Sequence, residues 1–470
     1  MQPYVSRQFR QFILNKYPVL KDNEPFIRFL NYLCFGNFFD KDTHHLVLPT
    51  TKMAEDFYQK PYDHHFNGKA VLEDFRDQVL PDLEWTTHTL NSPNSYKGKA
   101  RQISNLGFDA EMQDALHWEC LNPSKDQVDL ITGEPHLRKD RYQKAKAETA
   151  QYERELAQLP LNATQSKILG YLRDLPYGHL FLRKFGENKD AVQVAIGKLA
   201  PEVQEIQYRI LASASRNPRL YYAPSANGRT CRLSAQGDSI LGLKKEIRRA
   251  ATKGWVECDL RSSQFAILAA KLEAPLAQAF IASGESIWRE FNRHLFGVNA
   301  NPSNEIKKVL KETIYSICFG KSVYALRQLL LQHGIPTLLD HPILQELLTL
   351  RTQWFERIEK DGGAVDVWGQ WHALDQTVDP VTKKTTRWAG AIAGTVIQSV
   401  EMEIIAPIFD VAEKHGKSDQ FTVCLFQHDG GTISFNDKTR MARAQTKLKK
   451  AVEDRAKELG VSTVLGFTQL

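Results

Sequence analysis

The chain has 470 residues, 42% of them hydrophobic and 25% charged, and this ordinary globular composition excludes a fibrous or disordered protein. Its length exceeds that of one usual domain, so we expect two or three domains with substantial cores. The formal net charge of +6 is a mild basic excess that is compatible with nucleic-acid binding but does not by itself indicate it.

The six cysteines are scattered along the chain, and no two of them form a C-x-x-C pair. This distribution argues against a zinc site and favours reduced thiols in an intracellular protein. The N-terminus has no apolar signal core, and no uninterrupted apolar run is long enough to cross a bilayer. We therefore expect a cytoplasmic protein without a membrane partner.

Residues 1–135 are predicted to form a mainly helical accessory module. Apolar residues recur at helical spacing over 8–35, and shorter helices are predicted at 51–59 and 70–80. Two alternating segments, 83–90 and 100–106, flank a polar turn and predict a hairpin. This order is typical of a winged-helix-like module that binds DNA, and a generic α+β packing domain fits it equally well.

Two charged helical segments follow, over 136–160 and 188–215. Pro160 ends the first, and Asn217-Pro218 follows the second. We predict a thumb-like helical region at 136–215 that holds a duplex, with a plain linker bundle as the alternative.

Two strand-borne aspartates in the second half predict a metal site. In GWVECDL, alternation predicts a strand that ends at Asp259, directly before a helix. In FTVCLFQHDGGTISF, two β-runs flank a tight turn supplied by glycines, and Asp429 lies at the bend. Two carboxylates on rigid strands are what two-metal phosphoryl transfer needs.

A helix is predicted between the two aspartates, over 301–322. We expect Asn301 to cap it and Pro302 to take its first position. Two cations and two rings, spaced four residues apart, share one face of this helix: Lys307, Lys311, Tyr315 and Phe319. Cations bind phosphates and rings stack on bases, so the face predicts a nucleotide-binding helix, with an amphipathic packing helix as the alternative.

These elements, in this order and spacing, resemble the family A DNA polymerases over roughly residues 205–470. The resemblance implies an α+β right-hand architecture with a palm over 216–470 and a fingers insertion at about 275–345. It implies that Asp259 and Asp429 hold two Mg²⁺ ions, with Mn²⁺ as an alternative, and that Lys311 is the catalytic triphosphate lysine. Nucleotide-binding positions implied by the resemblance are Lys307, Lys311, Tyr315, Phe319 and Gln264. Primer–template positions, which combine the resemblance with a basic stretch at 244–253, are Arg229, Gln398, His428, Lys244, Lys245 and Arg248.

The chain departs from the family's pattern at two positions. Gln264 stands where the family carries a glutamate gate against the ribose 2′-hydroxyl, so sugar choice is left open. Gly430 stands where a glutamate follows the second aspartate. The N-terminal part contains one Asp-x-Glu, Asp109 to Glu111, without partner motifs, so we expect no proofreading exonuclease.

The sequence thus predicts a DNA-directed DNA polymerase that extends a primer with deoxynucleotides, for replication of a phage, plasmid or mobile element. Its expected partners are primer–template, nucleoside triphosphates and other replication proteins. Gln264 and Gly430 keep open an RNA-synthesising primase-like or single-subunit RNA polymerase. A non-catalytic replication initiator with a degenerate palm is a third alternative, which the presence of both aspartates and Lys311 disfavours.

Overall fold

The computed structural model describes residues 4–36, 38–40, 43, 45–59, 66–91, 97–122, 126–175, 177–216, 220–224, 230–236, 239–378 and 385–470. Helices and strands are mixed along the chain, which confirms the predicted combination of helix and strand. Two compact units are formed. The first comprises Met1–Leu159, Pro176–Tyr221 and Gln236–Lys253, and the second comprises Pro160–Leu175, Tyr222–Ala235 and Gly254–Leu470. The three-part division at 135 and 215 stays a prediction.

The first unit contains the following elements in chain order: β1 Tyr4–Ser6, α1 Arg7–Lys16, α2 Glu24–Phe35, β2 Leu46–Pro49, α3 Thr50–Lys52, α4 Gly68–Gln78, β3 Glu84–Asn91, β4 Lys97–Asn105, α5 Ala110–Leu121, β5 Gln127–Asp129, α6 Arg138–Leu156, α8 Tyr177–Glu187, α9 Lys189–Gly197, α10 Pro201–Arg216 and α11 Lys245–Ala251.

Prolines break two helices that the sequence predicts as continuous. The segment 8–35 forms α1 and α2, separated by a 3₁₀ turn that begins at Pro18. The segment 188–215 forms α9 and α10, and Pro201 is the first residue of α10. Proline lacks the amide that an interior helical hydrogen bond needs, whereas at a first position that amide is free in any helix.

The N-terminal part of the first unit has a three-stranded antiparallel sheet in the order β2-β4-β3. Its long hairpin, β3 and β4, follows α4 as the sequence predicts. The rings of Phe26 and Phe29 on α2 meet Phe75 on α4 edge to face, with centroids 5.2 and 4.4 Å apart. These buried rings bind the helices into one apolar core.

The second unit contains the following elements: α7 Ala163–Arg173, β6 Tyr222–Pro224, β7 Leu233–Ala235, β8 Val256–Leu260, α12 Ser263–Lys271, α13 Pro275–Ala282, α14 Ile287–Phe296, α15 Asn304–Cys318, α16 Val323–Gln332, α17 Pro342–Asp361, β9 Gly363–Val365, β10 Trp371–Ala373, β11 Asp375–Val378, β12 Thr385–Arg387, α18 Ala389–Ile405, α19 Pro407–Asp419, β13 Phe421–Phe426, β14 Gly430–Phe435, α20 Met441–Glu458 and β15 Leu465–Gln469.

A four-stranded antiparallel sheet in the order β13-β14-β8-β15 is the frame of this unit. Helix α19 packs against β13 and α20 against β15, while α18 contacts α12, α15 and α17. Asp259 on β8 pairs with Gly430 on one side and Gly466 on the other. The sheet therefore holds Asp259 between two hydrogen-bonded neighbours, which is a rigid position for a functional side chain.

Within the part of the chain that the structure describes, one helical stretch, Ala389–Asp419, is long and apolar enough to cross a membrane by length and composition. Of its most apolar window, 83% is buried inside the protein. Such burial is what the core helix of a folded unit also shows, so the stretch is weak support for a membrane span. All six cysteines are buried as free thiols.

Candidate active site

The two aspartates predicted as metal ligands lie side by side. The backbone amide of Leu260, next to Asp259, donates to the carbonyl oxygen of Asp429 at 3.0 Å. Burial, together with the charge of Asp259 and a hydrogen bond with it, raises the pKa of Asp429 to about 6. The hairpin between β13 and β14 thus places a second carboxyl group against the one on β8.

The turn that carries Asp429 differs from the predicted one. Its left-handed residue is His428, with φ of +66°, whereas Gly430 and Gly431 belong to strand β14. A Cβ on Gly430 would come 2.1 Å from the carbonyl oxygen of Cys258. Glycine is therefore needed at this position because two backbones approach closely, not because the chain turns there. The same close approach leaves no room for a larger side chain, glutamate included, at this position.

Glu401 is a third carboxyl group in the site, and the sequence reasoning missed it. Its side chain is 1% exposed and accepts a hydrogen bond from the Ser263 hydroxyl at 2.9 Å. Its other oxygen accepts from the guanidinium of Arg232. Burial raises the pKa of Glu401, the guanidinium opposes that rise, and the charge of Asp429 adds to it. The available signal was that α18 carries only two charged residues, Glu401 and Glu403, in an otherwise uncharged and mostly apolar helix.

Arg232 and His428 leave polar atoms without partners beside these acids. Burial, together with the charge of Arg232, lowers the pKa of His428 to about 4, so the imidazole is neutral at pH 7. Its Nδ1 and the Nε of Arg232 are buried and have no hydrogen-bond partner among the described residues. Unpaired buried polar atoms are costly, so such atoms mark a place where a ligand can complete the hydrogen bonding.

Helix α15 presents the predicted ladder. The helix begins at Asn304, so its N-cap is Ser303 and not the predicted Asn301. The hydroxyl of Ser303 accepts a hydrogen bond from the backbone amide of Ile306 at 3.3 Å. The apolar side, which includes Leu310 and Ile314, is buried. On the ladder side Lys311 is exposed, Tyr315 is 39% exposed, and the remaining two residues are half-buried.

A groove of about 550 Å³ runs along this helix. It is lined by Lys308, Lys311, Glu312, Tyr315, Ser316, Phe319, Lys321 and Trp388. Burial, together with the charges of Asp429, Glu401 and Asp259, raises the pKa of Tyr315 to about 12. Tyr315 therefore lies within electrostatic reach of the carboxyl groups, although neither Asp259 nor Asp429 is among the groove's lining residues.

The remaining predicted residues are placed as follows. Gln264 on α12 is 5% exposed, and its side-chain oxygen has no partner among the described residues. Gln398 on α18 accepts a hydrogen bond from the Thr230 hydroxyl. On the first unit, at the start of α11, Lys244 and Lys245 are exposed and Arg248 is half-buried. Arg229 lies outside the described residues. Neither Lys307 nor Gln264 is among the groove's lining residues.

The donor set fits a hard divalent cation only with help from a substrate. No group of three or more His, Cys, Asp or Glu side chains in the described residues is arranged to hold a metal ion. Both oxygens of Glu401 already accept hydrogen bonds, which leaves the pair Asp259 and Asp429. Mg²⁺ is commonly bound by one or two carboxylates together with substrate phosphates and water, and that is the set this site can supply.

No protein-family model and no curated protein matches the chain. Among solved structures, it is similar to the POL domain of Pol1 from M. smegmatis in complex with a DNA primer-template and dNTP. The TM-score is 0.43 and the identity 13%, over 95% of this chain and 81% of that one. A similarity at this level is too low to transfer fold or function, so the site is interpreted from its own residues.

Proposed function

We propose that the chain is a template-directed DNA polymerase that adds deoxynucleotides to a primer 3′-hydroxyl by two-metal phosphoryl transfer. The observation that carries this proposal is the convergence of Asp259, Asp429 and Tyr315. A carboxyl group on strand β8 meets one in the turn between β13 and β14, and a ring of the predicted nucleotide helix lies within their electrostatic reach. An acid pair beside a cationic and aromatic groove is suited to a metal-bound triphosphate.

Each element has a role in this proposal. Asp259 and Asp429 would hold two Mg²⁺ ions, or Mn²⁺ in their place, and these ions would lower the pKa of the primer hydroxyl and neutralise the leaving pyrophosphate. Lys311, exposed in the groove, would neutralise negative charge on the phosphates, with Lys307 one turn earlier on the helix. Tyr315 and Phe319 would contact the sugar and base of the incoming nucleotide.

The site also suggests how the primer end is held. Arg232 is anchored by the buried Glu401, and its free Nε together with Nδ1 of His428 would donate to or accept from the terminal nucleotide. Gln398, Arg229 and the basic residues at 244–248 would contact the nucleic-acid backbone and grooves. Binding should therefore weaken as the salt concentration rises.

The architecture we propose is a right hand, with the palm over 216–470, fingers at about 275–345 and a thumb at 136–215. We propose that the part before residue 135 is a winged-helix-like module for DNA. The support is its element order and the strand order β2-β4-β3, in which a hairpin follows α4. The exposed charges of α4 are Lys69, Asp74 and Asp77, so phosphate contacts would come from other elements.

We propose that no proofreading exonuclease is present, which suits replication of a phage, plasmid or mobile element. Asp109 and Glu111 both pair with Lys16, at 2.8 and 2.5 Å. Asp109 also caps helix α5 by accepting the amide of Met112 at 2.9 Å. These contacts support a structural role for the lone Asp-x-Glu.

Primer extension tests the proposal. Asp259→Ala and Asp429→Ala should each reduce extension of a labelled primer below detection, while binding of primer–template, read by fluorescence anisotropy, stays within about twofold of the wild type, because the aspartates bind metal and not the duplex. Asp340→Ala, at an exposed position of the same unit, is the matched control and should extend normally. Robust extension by either active-site variant would contradict the assignment.

RNA synthesis is the second candidate, and Gln264 is the observation that favours it. The side-chain oxygen of Gln264 is a buried acceptor without a hydrogen-bond partner in the described part of the chain, and a ribose 2′-hydroxyl is a donor that could satisfy it. Extension with deoxynucleotides and ribonucleotides on one primer–template, together with Gln264→Glu, separates the candidates. Preference for ribonucleotides by the wild type would favour RNA synthesis, and synthesis on a primer-free template would indicate a primase.

A further inference from the structure

Trp388 is a large exposed ring at one end of the groove. It caps the N-terminus of α18, where its carbonyl oxygen accepts the amides of Ala391 and Ile392 at 2.9 and 3.2 Å. The next residue, Ala389, belongs to a buried cluster. The backbone of Trp388 is therefore rigidly anchored while 43% of the residue is exposed. A tryptophan left this exposed on a fixed backbone is suited to contact with a ligand.

Glycines clear the space around this ring. A Cβ on Gly320, whose φ is +79°, would come 2.7 Å from the Trp388 ring, and one on Gly390 would come 2.4 Å from it. A Cβ on Gly394 would come 2.7 Å from the ring of Phe319. Backbone without side chains therefore supports the rings of Trp388 and Phe319, which are two of the three aromatic rings that line the groove.

The charges around the groove define the class of ligand. Lys308, Lys311 and Lys321 line it together with one acid, Glu312, which lies 3.8 Å from the Lys321 ammonium. Three cations, one anion and exposed rings are the combination by which proteins bind single-stranded nucleic acid, with phosphates on the cations and bases stacked on the rings.

We propose that Trp388 is a stacking platform for an unpaired base of the template strand, adjacent to the incoming nucleotide. This inference rests on the proposed function, which assigns Lys311, Tyr315 and Phe319 to the incoming nucleotide. Lys311 on α15 and Phe319, the residue that follows its last turn, are eight residues apart, about 12 Å at the helical rise, which one nucleotide triphosphate spans. Trp388, which packs on Gly320 beyond Phe319, is then left for a neighbouring base of the strand being copied.

Binding measurements without nucleotide test this role independently of catalysis. Labelled duplexes with a blunt end, a one-nucleotide or a four-nucleotide 5′ template overhang are titrated with wild type, Trp388→Phe and Trp388→Leu. The overhang should strengthen wild-type binding about tenfold, the size expected for one stacked base. Trp388→Phe should keep most of this gain, Trp388→Leu should lose it, and blunt-duplex binding should not change.

Trp371→Leu is the matched control, because Trp371 is 51% exposed on β10 of the same unit and is not among the groove's lining residues. It should behave as the wild type does. If Trp388→Leu keeps the overhang gain, the ring does not stack on the template and the proposal is wrong. A raised KM for nucleotide together with that kept gain would place the ring at the incoming nucleotide instead. Primer extension by the wild type is measured in parallel. If the overhang strengthens binding but the wild type does not extend the primer, the proposed polymerase activity is refuted and the stacking role of Trp388 is not.

Discussion

Replacing Asp429 by asparagine should stabilise the metal-free protein while abolishing extension. Burial, and after it the charge of Asp259, raises the pKa of Asp429 from 3.8 to about 6. The folded protein therefore binds this proton more tightly than the unfolded chain does. Stability that the bound proton contributes is present at low pH and is lost as the pH rises through the interval between these two values.

The pKa difference sets the size of the effect. Each pKa unit corresponds to about 1.4 kcal/mol, so the ionised Asp429 costs the folded state about 3 kcal/mol at pH 8. Asparagine has nearly the same shape and no charge. The free energy of unfolding of Asp429→Asn should therefore exceed that of the wild type by up to about 3 kcal/mol at pH 8. At pH 5 the difference should be about half as large, because Asp429 in the folded wild type is then mostly protonated.

Urea denaturation with a chelator present, at pH 5 and pH 8, measures both values. Asp340→Asn removes the same charge at an exposed position of the same unit and should leave the denaturation midpoint nearly unchanged. Added Mg²⁺ should raise the midpoint of the wild type more than that of Asp429→Asn, because metal binds the ionised pair. An Asp429→Asn protein that is no more stable than the wild type at pH 8, or that gains as much at pH 5, would refute the reasoning.

Two further predictions concern the frame of the site. Arg232→Met should lower the free energy of unfolding by about 3–5 kcal/mol, because it leaves the buried Glu401 charge unpaired. Adding Glu401→Gln should recover part of that loss, and purely additive effects in urea denaturation would contradict the pairing. Gly430→Ala should destabilise the protein by more than about 2 kcal/mol and reduce extension, since its Cβ would meet the Cys258 carbonyl oxygen at 2.1 Å. Gly466→Ala is its control on the other side of Asp259: its Cβ would meet the flexible Arg261 side chain at 3.2 Å, and equal effects of the two changes would argue against the close-approach explanation.

Local patterns were sufficient for the parts of the site that lie on single elements. Alternation over 254–260 predicts strand β8 with Asp259, and the four-residue spacing predicts the ladder of α15, because strand and helix periods are local properties of the chain. The structure places Lys311, Tyr315 and Phe319 along one groove, as that spacing predicts. The sequence does not contain the same information for the helix start, which depends on which side-chain oxygen accepts a hydrogen bond from a free backbone amide, that of Ser303 and not that of Asn301.

Contacts between distant segments were decided by the tertiary structure alone. Glu401 lies 169 residues from Arg232 and 138 from Ser263 along the chain, and no local period relates such positions. Gly430 resembles a turn residue in the sequence, but a neighbouring strand brings the Cys258 carbonyl oxygen against it. By itself, then, the sequence determined which residue types could bind metal and nucleotide. Only folding decided that a buried glutamate paired with a half-buried arginine lies beside them, because the free energy of burying charge depends on what the whole chain packs around it.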